Sequence, residues 1–159
     1  MANLAAGDAF ITAWDSKRHY NFWRPSTAIN EGENDGNPNT LGDPAWLPLI
    51  ANPPYPDYTS GANNLSGAFT KTLALYFHRN NFTFDVTSNA PLAVQKTRTF
   101  KKFSQASDQV VEARIYLGIH FRTADKAAQK QGRQAAAFVF DHFLLPIPGN
   151  SQAGLAEQE

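Results

Sequence analysis

The segment Ala113-Arg-Ile-Tyr-Leu-Gly-Ile-His120 constrains this chain more than any other. It reads as buried helix, yet it carries an arginine and a histidine. Arg114 is permanently cationic, and its planar fork matches tetrahedral oxyanions. His120 falls on a helical stripe with Ala113, Tyr116 and Leu117, so it is expected to point where the apolar residues point. Two basic groups on a core-facing helix need an anion or a carboxylate to offset their desolvation. Asp108 and Glu112 precede Arg114, but neither spacing gives a good intrahelical pair. The segment therefore predicts a pocket for a phosphate-like anion, with the rest of the chain built around it.

The chain is long enough, at 159 residues, for one domain with a real core. Its formal net charge is zero, which argues against bulk electrostatic binding to nucleic acid or to an anionic membrane. Any basic cluster must then be local and balanced elsewhere. The absence of cysteine excludes disulfides, thiolate chemistry and zinc–thiolate sites. No apolar run approaches the roughly 20 residues of a membrane span. The opening Met-Ala-Asn-Leu-Ala-Ala-Gly-Asp lacks a basic region and a long apolar stretch, so no signal peptide is expected in this chain, and its compartment stays open.

Residues 2–22 predict a helix, with Phe10, Ala13, Trp14, Lys17 and Asn21 on one stripe. Lys17 and Arg24 stand two turns apart, and Pro25 disfavours helical geometry at Arg24, so the helix should end or kink there. Alone, these two cations are what any helix C-terminus favours. Residues 30–57 read as a long loop rich in Gly, Pro and Asn, in which Asp35, Asn37 and Asp43 are turn residues. Trp46, Leu47, Leu49 and Ile50 are expected to pack that loop onto the core or to rim a pocket. Ser60 is a natural N-cap for a helix carrying Leu65, Phe69, Thr72, Leu73, Tyr76 and Phe77 on one face. Gly61 at its first turn would let backbone approach a ligand, and the free N–H groups there favour an anion. Phe82–Val86 alternates as a short strand would. Residues 97–120 predict a third helix, with Phe100, Phe103, Val110, Leu117 and Phe121 inward. Residues 124–144 predict a fourth, with Ala128, Ala135, Phe138 and Val139 inward.

The expected architecture is all-α, a bundle of four to five helices with a long loop and at most one short strand. A single oxyanion-binding domain over residues 1–148 and a loose tail over 149–159 complete it. Trp14, Phe22, Trp23 and Trp46 read as core, His142 as a core or interface residue, His19 as a surface residue and His78 as a helix-end cap.

Three segments now stand together: Lys17-x6-Arg24-Pro25, Ser60-Gly61 and Arg114-x5-His120. Their order and spacing resemble the signature of the vanadium-dependent haloperoxidase and type-2 phosphatidic acid phosphatase (PAP2) superfamily. Lys17-Arg-His-Tyr-Asn-Phe-Trp-Arg-Pro25 and Arg114-Ile-Tyr-Leu-Gly-Ile-His-Phe-Arg122 resemble the haloperoxidase branch more. The resemblance implies that Lys17, Arg24 and Arg114 neutralise the oxygens of vanadate or phosphate. Ser60 and the Gly61 N–H would add hydrogen bonds. His120 would be the axial nitrogen ligand of vanadium, or the nucleophile on phosphorus in an acid phosphatase. Vanadate is then the implied cofactor, with phosphate as substrate or occupant, and neither haem nor zinc is implied. The substrates would be halide and hydrogen peroxide, or a phosphomonoester, and relatives are often exported.

Three departures qualify the likeness. Ala62 replaces the histidine that usually follows Ser-Gly and serves as general acid, a function typically worth about 10²–10⁴-fold. A catalytically weakened phosphate-binding relative is therefore an alternative reading. Ala124 replaces the aspartate that usually follows the last histidine by four residues, and Asp125 comes one place too late. Relatives carry further helices before the first motif, whereas sixteen residues precede Lys17 here. The expectation is a piece of a longer chain or, preferably, a homodimer that covers the exposed apolar faces.

Overall fold

The computed structural model describes residues 1–145 of the chain. Its elements run α1 (Ala2–Tyr20), α2 (Pro25–Asn30), a 3₁₀ turn (Gly32–Asn34), α3 (Gly61–Tyr76), β1 (Asn81–Thr87), β2 (Thr97–Lys102), α4 (Phe103–Tyr116) and α5 (Arg122–His142). The expected helical bundle is present, with one small sheet beside it. The expected tail lies outside the described residues.

Local chemistry sets the boundaries. α1 stops where Asn21 turns left-handed, at φ 43°. Arg24 is extended, as the residue before a proline prefers, and Pro25 starts α2, where its missing N–H costs nothing. Residues 97–102, expected as the start of a helix, instead form β2, antiparallel to β1 with Phe84 opposite Phe100. Asn80 fixes that boundary: its carbonyl accepts Phe103 N–H at 3.0 Å, and its Oδ1 accepts Ser104 N–H at 3.0 Å. The ring of Phe103 then stacks on Phe77 and Phe82, which seats the hairpin beside the bundle.

The bundle closes through small residues. Ala5 and Ala9 of α1, Ala68 of α3, and Ala136 and Val139 of α5 form one buried cluster. At Gly132 a Cβ would stand 2.0 Å from the Asn64 carbonyl oxygen, so α3 and α5 touch backbone to backbone. This closeness overturns several expected core positions. Phe10, Trp14, Phe69, Tyr76, Phe77 and Phe138 are between 39% and 59% exposed, because rings do not fit between helices this near and flank the seam instead. Phe22 is likewise half-exposed. Leu47 and Leu49 point outward, leaving Trp46 and Ile50 as the half-buried contacts of the long loop. His142 is exposed and stacks on Phe138, so it is not a core residue. Among the described residues no helix is long and apolar enough to cross a membrane.

Candidate functional site

Lys17, Arg24, Asp57 and His120 are buried and linked to one another through hydrogen bonds. Lys17 lies on the alanine side of α1 and is 2% exposed, and Arg24 at the mouth of α2 is 6% exposed. Both reach the segment that leads into α3. Lys17 Nζ donates to Pro56 O at 2.7 Å and to Asp57 O at 2.9 Å. Arg24 Nε donates to Tyr55 O at 3.0 Å, and its Nη1 donates to Ile119 O at 2.6 Å. The Tyr55 ring lies 5.1 Å from each cation. Arginine and lysine thus fold the Pro-rich loop down, satisfying carbonyls that would otherwise be buried without donors.

His120 is 3% exposed, but not for the reason its spacing suggested. α4 ends at Tyr116, itself 78% exposed, and Gly118 takes φ +74° in the turn that follows. A Cβ on Gly118 would meet the Trp46 ring at 2.9 Å. The turn, not the helix stripe, tucks His120 inside. Its Nδ1 lies 2.6 Å from Asp57 Oδ1, and its Nε2 lies 3.4 Å from Arg24 Nη1. Burial pushes the His120 pKa down, against the pull of Asp57, and the nearby Arg24 and Arg114 push it the same way.

Arg114 projects from the last turn of α4. Its Nε is buried with no hydrogen-bond partner. The two acids that precede it are engaged elsewhere: Glu112 pairs with Arg122, and Asp108 accepts from Gln129 at 2.9 Å. Ser60 holds the N-cap position of α3 without making a side-chain cap bond, a change from its expected role. Its hydroxyl oxygen instead accepts from Asn63 Nδ2 at 3.3 Å, and the same Nδ2 donates to Asp125 Oδ1 at 2.7 Å. Gly61 opens α3, and its absent Cβ would lie 3.3 Å from the Phe10 ring. Asn64 is the first residue of α3 to bond back, to Ser60 O, so the amides of residues 61–63 have no intrahelical acceptor.

The electrostatics are those of an under-neutralised cationic cluster. Burial lowers the Lys17 pKa to about 8, with Arg24 and Arg114 adding to the shift. Burial raises the Asp125 pKa to about 6, against the opposing pull of neighbouring Ser60 and Asn63. Three cations therefore meet two buried carboxylates, one of them partly protonated near neutrality. Among the described residues no group of three or more His, Asp or Glu could hold a bare metal cation. A single imidazole inside a cluster of cations suits an oxyanion instead, and the unpartnered Nε of Arg114 is a donor ready for one.

The sequence-predicted residues Lys17, Arg24, Ser60, Gly61, Arg114 and His120 thus come to one region, although 103 positions separate the first from the last. Sequence reasoning misses Asp57. Its partner stands 63 residues away, and nothing periodic links them. The signal available is its place in Pro56-Asp57-Tyr58-Thr59-Ser60, an acid just ahead of the Ser-Gly pair. Asp125, one place past the position expected of an orienting aspartate, accepts from Asn63 instead.

Three comparisons with known proteins agree. The family profile described as "VCPO second helical-bundle domain" matches residues 1–148. The chain is 27% identical to vanadium chloroperoxidase of Curvularia inaequalis over 81% of its own length and 28% of that protein. A solved structure titled the first bacterial vanadium-dependent iodoperoxidase superposes with a TM-score of 0.74 at 39% identity, over 88% of this chain and 32% of that one. The holo form of a bacterial vanadium-dependent chloroperoxidase gives a TM-score of 0.68 at 21% identity, over 87% of this chain and 34% of that one, a likeness of fold. This chain therefore spans about a third or less of the relatives it matches.

Proposed function

Since the chain belongs to the VCPO second helical-bundle domain family, on the haloperoxidase-like branch, we propose that it holds vanadate and oxidises halide with hydrogen peroxide. Lys17, Arg24 and Arg114 would balance the charge of the oxyanion. Ser60 Oγ and the Gly61 N–H would donate to its oxygens, and His120 Nε2 would be its nitrogen ligand. Bound vanadate supplies electrophilic activation of hydrogen peroxide towards halide. The protein's own share is fixed, desolvated donors that need no rearrangement as charge builds on oxygen.

One observation carries this reading above the rest: three cations from distant segments share one buried region, and Arg114 Nε has no protein partner there. A structural ion-pair network would have matched each cation to an acid. Here the two nearest acids of Arg114's own helix are turned to other partners. The donor set fits a tetrahedral or trigonal-bipyramidal oxyanion. Lys17 has given two of its three protons to carbonyls, and Arg24 keeps donors on its far nitrogen beyond a long 3.5 Å contact to Pro56 O.

Ala62 favours a second reading of the same cage. Without the histidine that relatives carry there, a proton donor is missing, and the site would act as a weakened phosphate binder. With phosphate esters it would be an acid phosphatase working through a phospho-histidine on His120. The pair of assays that separates these uses vanadate-loaded protein with peroxide, bromide and a phenolic dye, run beside hydrolysis of an aryl phosphate. Bromination with little hydrolysis supports the haloperoxidase. Binding of phosphate with no turnover in either supports the weakened binder. His120→Ala should abolish turnover and leave the melt intact, and Ala62→His should raise it. Full activity in His120→Ala would refute the cage. The exposed rings on α1, α3 and α5 are further grounds to expect a partner surface, with a homodimer as the proposed occupant.

A further inference from the structure

The ligand histidine of an oxyanion site needs a fixed ring and a fixed tautomer, because only one nitrogen can offer its lone pair. The aspartate expected four residues after His120 is absent. Ala124 stands there, fully buried, and its carbonyl accepts Ser60 N–H at 3.3 Å. Asp125, the next residue, accepts from Asn63 at 2.7 Å and makes no hydrogen bond to His120. We propose that Asp57, from the loop before α3, is the positioning residue in its stead. Asp57 accepts the Nδ1 proton of His120 and thereby aims an unprotonated Nε2 into the cationic cluster.

The geometry is a direct buried contact. Asp57 Oδ1 lies 2.6 Å from His120 Nδ1, and the two residues are 0% and 3% exposed. Its own backbone is held on both sides. Asp57 N–H donates to Phe22 O at 2.9 Å, just past the end of α1, and Asp57 O accepts Lys17 Nζ at 2.9 Å. These contacts fix the main chain from which the carboxylate projects, and His120 Nδ1 is the partner of its Oδ1, while Oδ2 is buried without one. Opposite Asp57, the His120 ring presents Nε2 at 3.4 Å from Arg24 Nη1. A proton on Nε2 would face a guanidinium, donor against donor, whereas a lone pair there meets a donor. One residue thus ties the lysine, the histidine and the loop that carries Ser60 into one unit. The orienting carboxylate then comes from the loop before the serine, not from the helix after the histidine.

This inference rests on reading His120 as the nitrogen ligand, and its test is built to separate the two. Imidazole nitrogen NMR on the whole chain without added anion reports the His120 tautomer. Vanadate and inorganic phosphate affinities, measured by calorimetry, report the site. In the wild type the proton is expected on Nδ1. In Asp57→Asn, whose amide keeps the backbone contacts but can donate as well as accept, the Nε2-protonated form should appear. Vanadate affinity should then fall by about tenfold to a hundredfold. Phosphate affinity, which asks only for the cations, should fall much less. Asp57→Glu should restore part of the vanadate affinity. An Nε2-protonated wild type overturns the proposal even if the variant does not fold. So does an Asp57→Asn protein with an unchanged tautomer and vanadate affinity within twofold. A wild type that binds neither anion, yet shows the Asp57-dependent tautomer, retires the oxyanion reading and keeps the orienting contact.

Discussion

Arg24 donates through Nη1 to the carbonyl oxygen of Ile119 at 2.6 Å, across 95 residues of sequence. The same nitrogen lies 3.4 Å from His120 Nε2. One guanidinium therefore fixes the turn that carries the histidine and also faces the histidine itself. Its Nε holds Tyr55 O at 3.0 Å. A lysine has the charge but not the fork, so it cannot serve both carbonyls in this geometry. Arg24→Lys should cost about 1–3 kcal/mol in urea unfolding, from a buried acceptor left without a donor. Oxyanion affinity should drop with it. An unchanged stability would mean the loop is held by other contacts.

Lys17 supplies a pH test. Its pKa is lowered to about 8, chiefly by burial and then by Arg24 and Arg114. The ammonium is therefore lost as pH rises through about 8, and the proposed cage would lose one of its three cations there. Sulfate keeps its charge over this range, so it isolates the protein's contribution. The rise in melting temperature on adding sulfate should shrink between about pH 7 and pH 9. In Lys17→Gln the rise should be smaller at neutral pH and flat across the same interval. A sulfate effect that ignores both pH and Lys17 would place the anion elsewhere.

Asp125 has the opposite sign. Its pKa is raised to about 6, mainly by burial, so the fold holds its proton where the unfolded chain has released it. Stability from this group is full at low pH and is lost as pH rises from about 4 through about 6. Asp125→Asn removes the titration and keeps the shape. Between about pH 4 and pH 7 the wild type should lose on the order of 2 kcal/mol relative to the variant, in paired urea titrations. Parallel pH profiles for the two proteins would show that Asp125 does not titrate in this window.

The seam between α3 and α5 offers a packing test. A Cβ at Gly132 would press within 2.0 Å of Asn64 O, whereas one at Gly7 meets nothing within 4 Å. Gly132→Ala should destabilise by about 3 kcal/mol, since backbone on backbone cannot relax as a side chain can. Gly7→Ala, in α1, should stabilise by about 0.5–1 kcal/mol through helix propensity alone. Similar melts for the two variants would mean the seam is looser than its geometry.

The sequence by itself determined the inventory. The spacing of Lys17 from Arg24, the Ser60-Gly61 pair, and the spacing of Arg114 from His120 marked which residues would meet, and helical periodicity marked four long helices. Those signals are local, and local chemistry carries them: turn residues, prolines and apolar repeats act within a few positions. What only the tertiary structure decided is who faces whom. Helical periodicity put Phe10, Trp14 and Phe138 inside, but it cannot tell that alanines and Gly132 bring the helices too close for rings. It put His120 on a helix stripe, but a left-handed Gly118 ends α4 and buries the imidazole from a turn. It left that imidazole without a well-placed acid, since Asp125 comes one place too late, and Asp57 reaches it from 63 residues away. Partnerships at such separations follow the path of a loop, and that path is set by where Lys17 and Arg24 find carbonyls to satisfy.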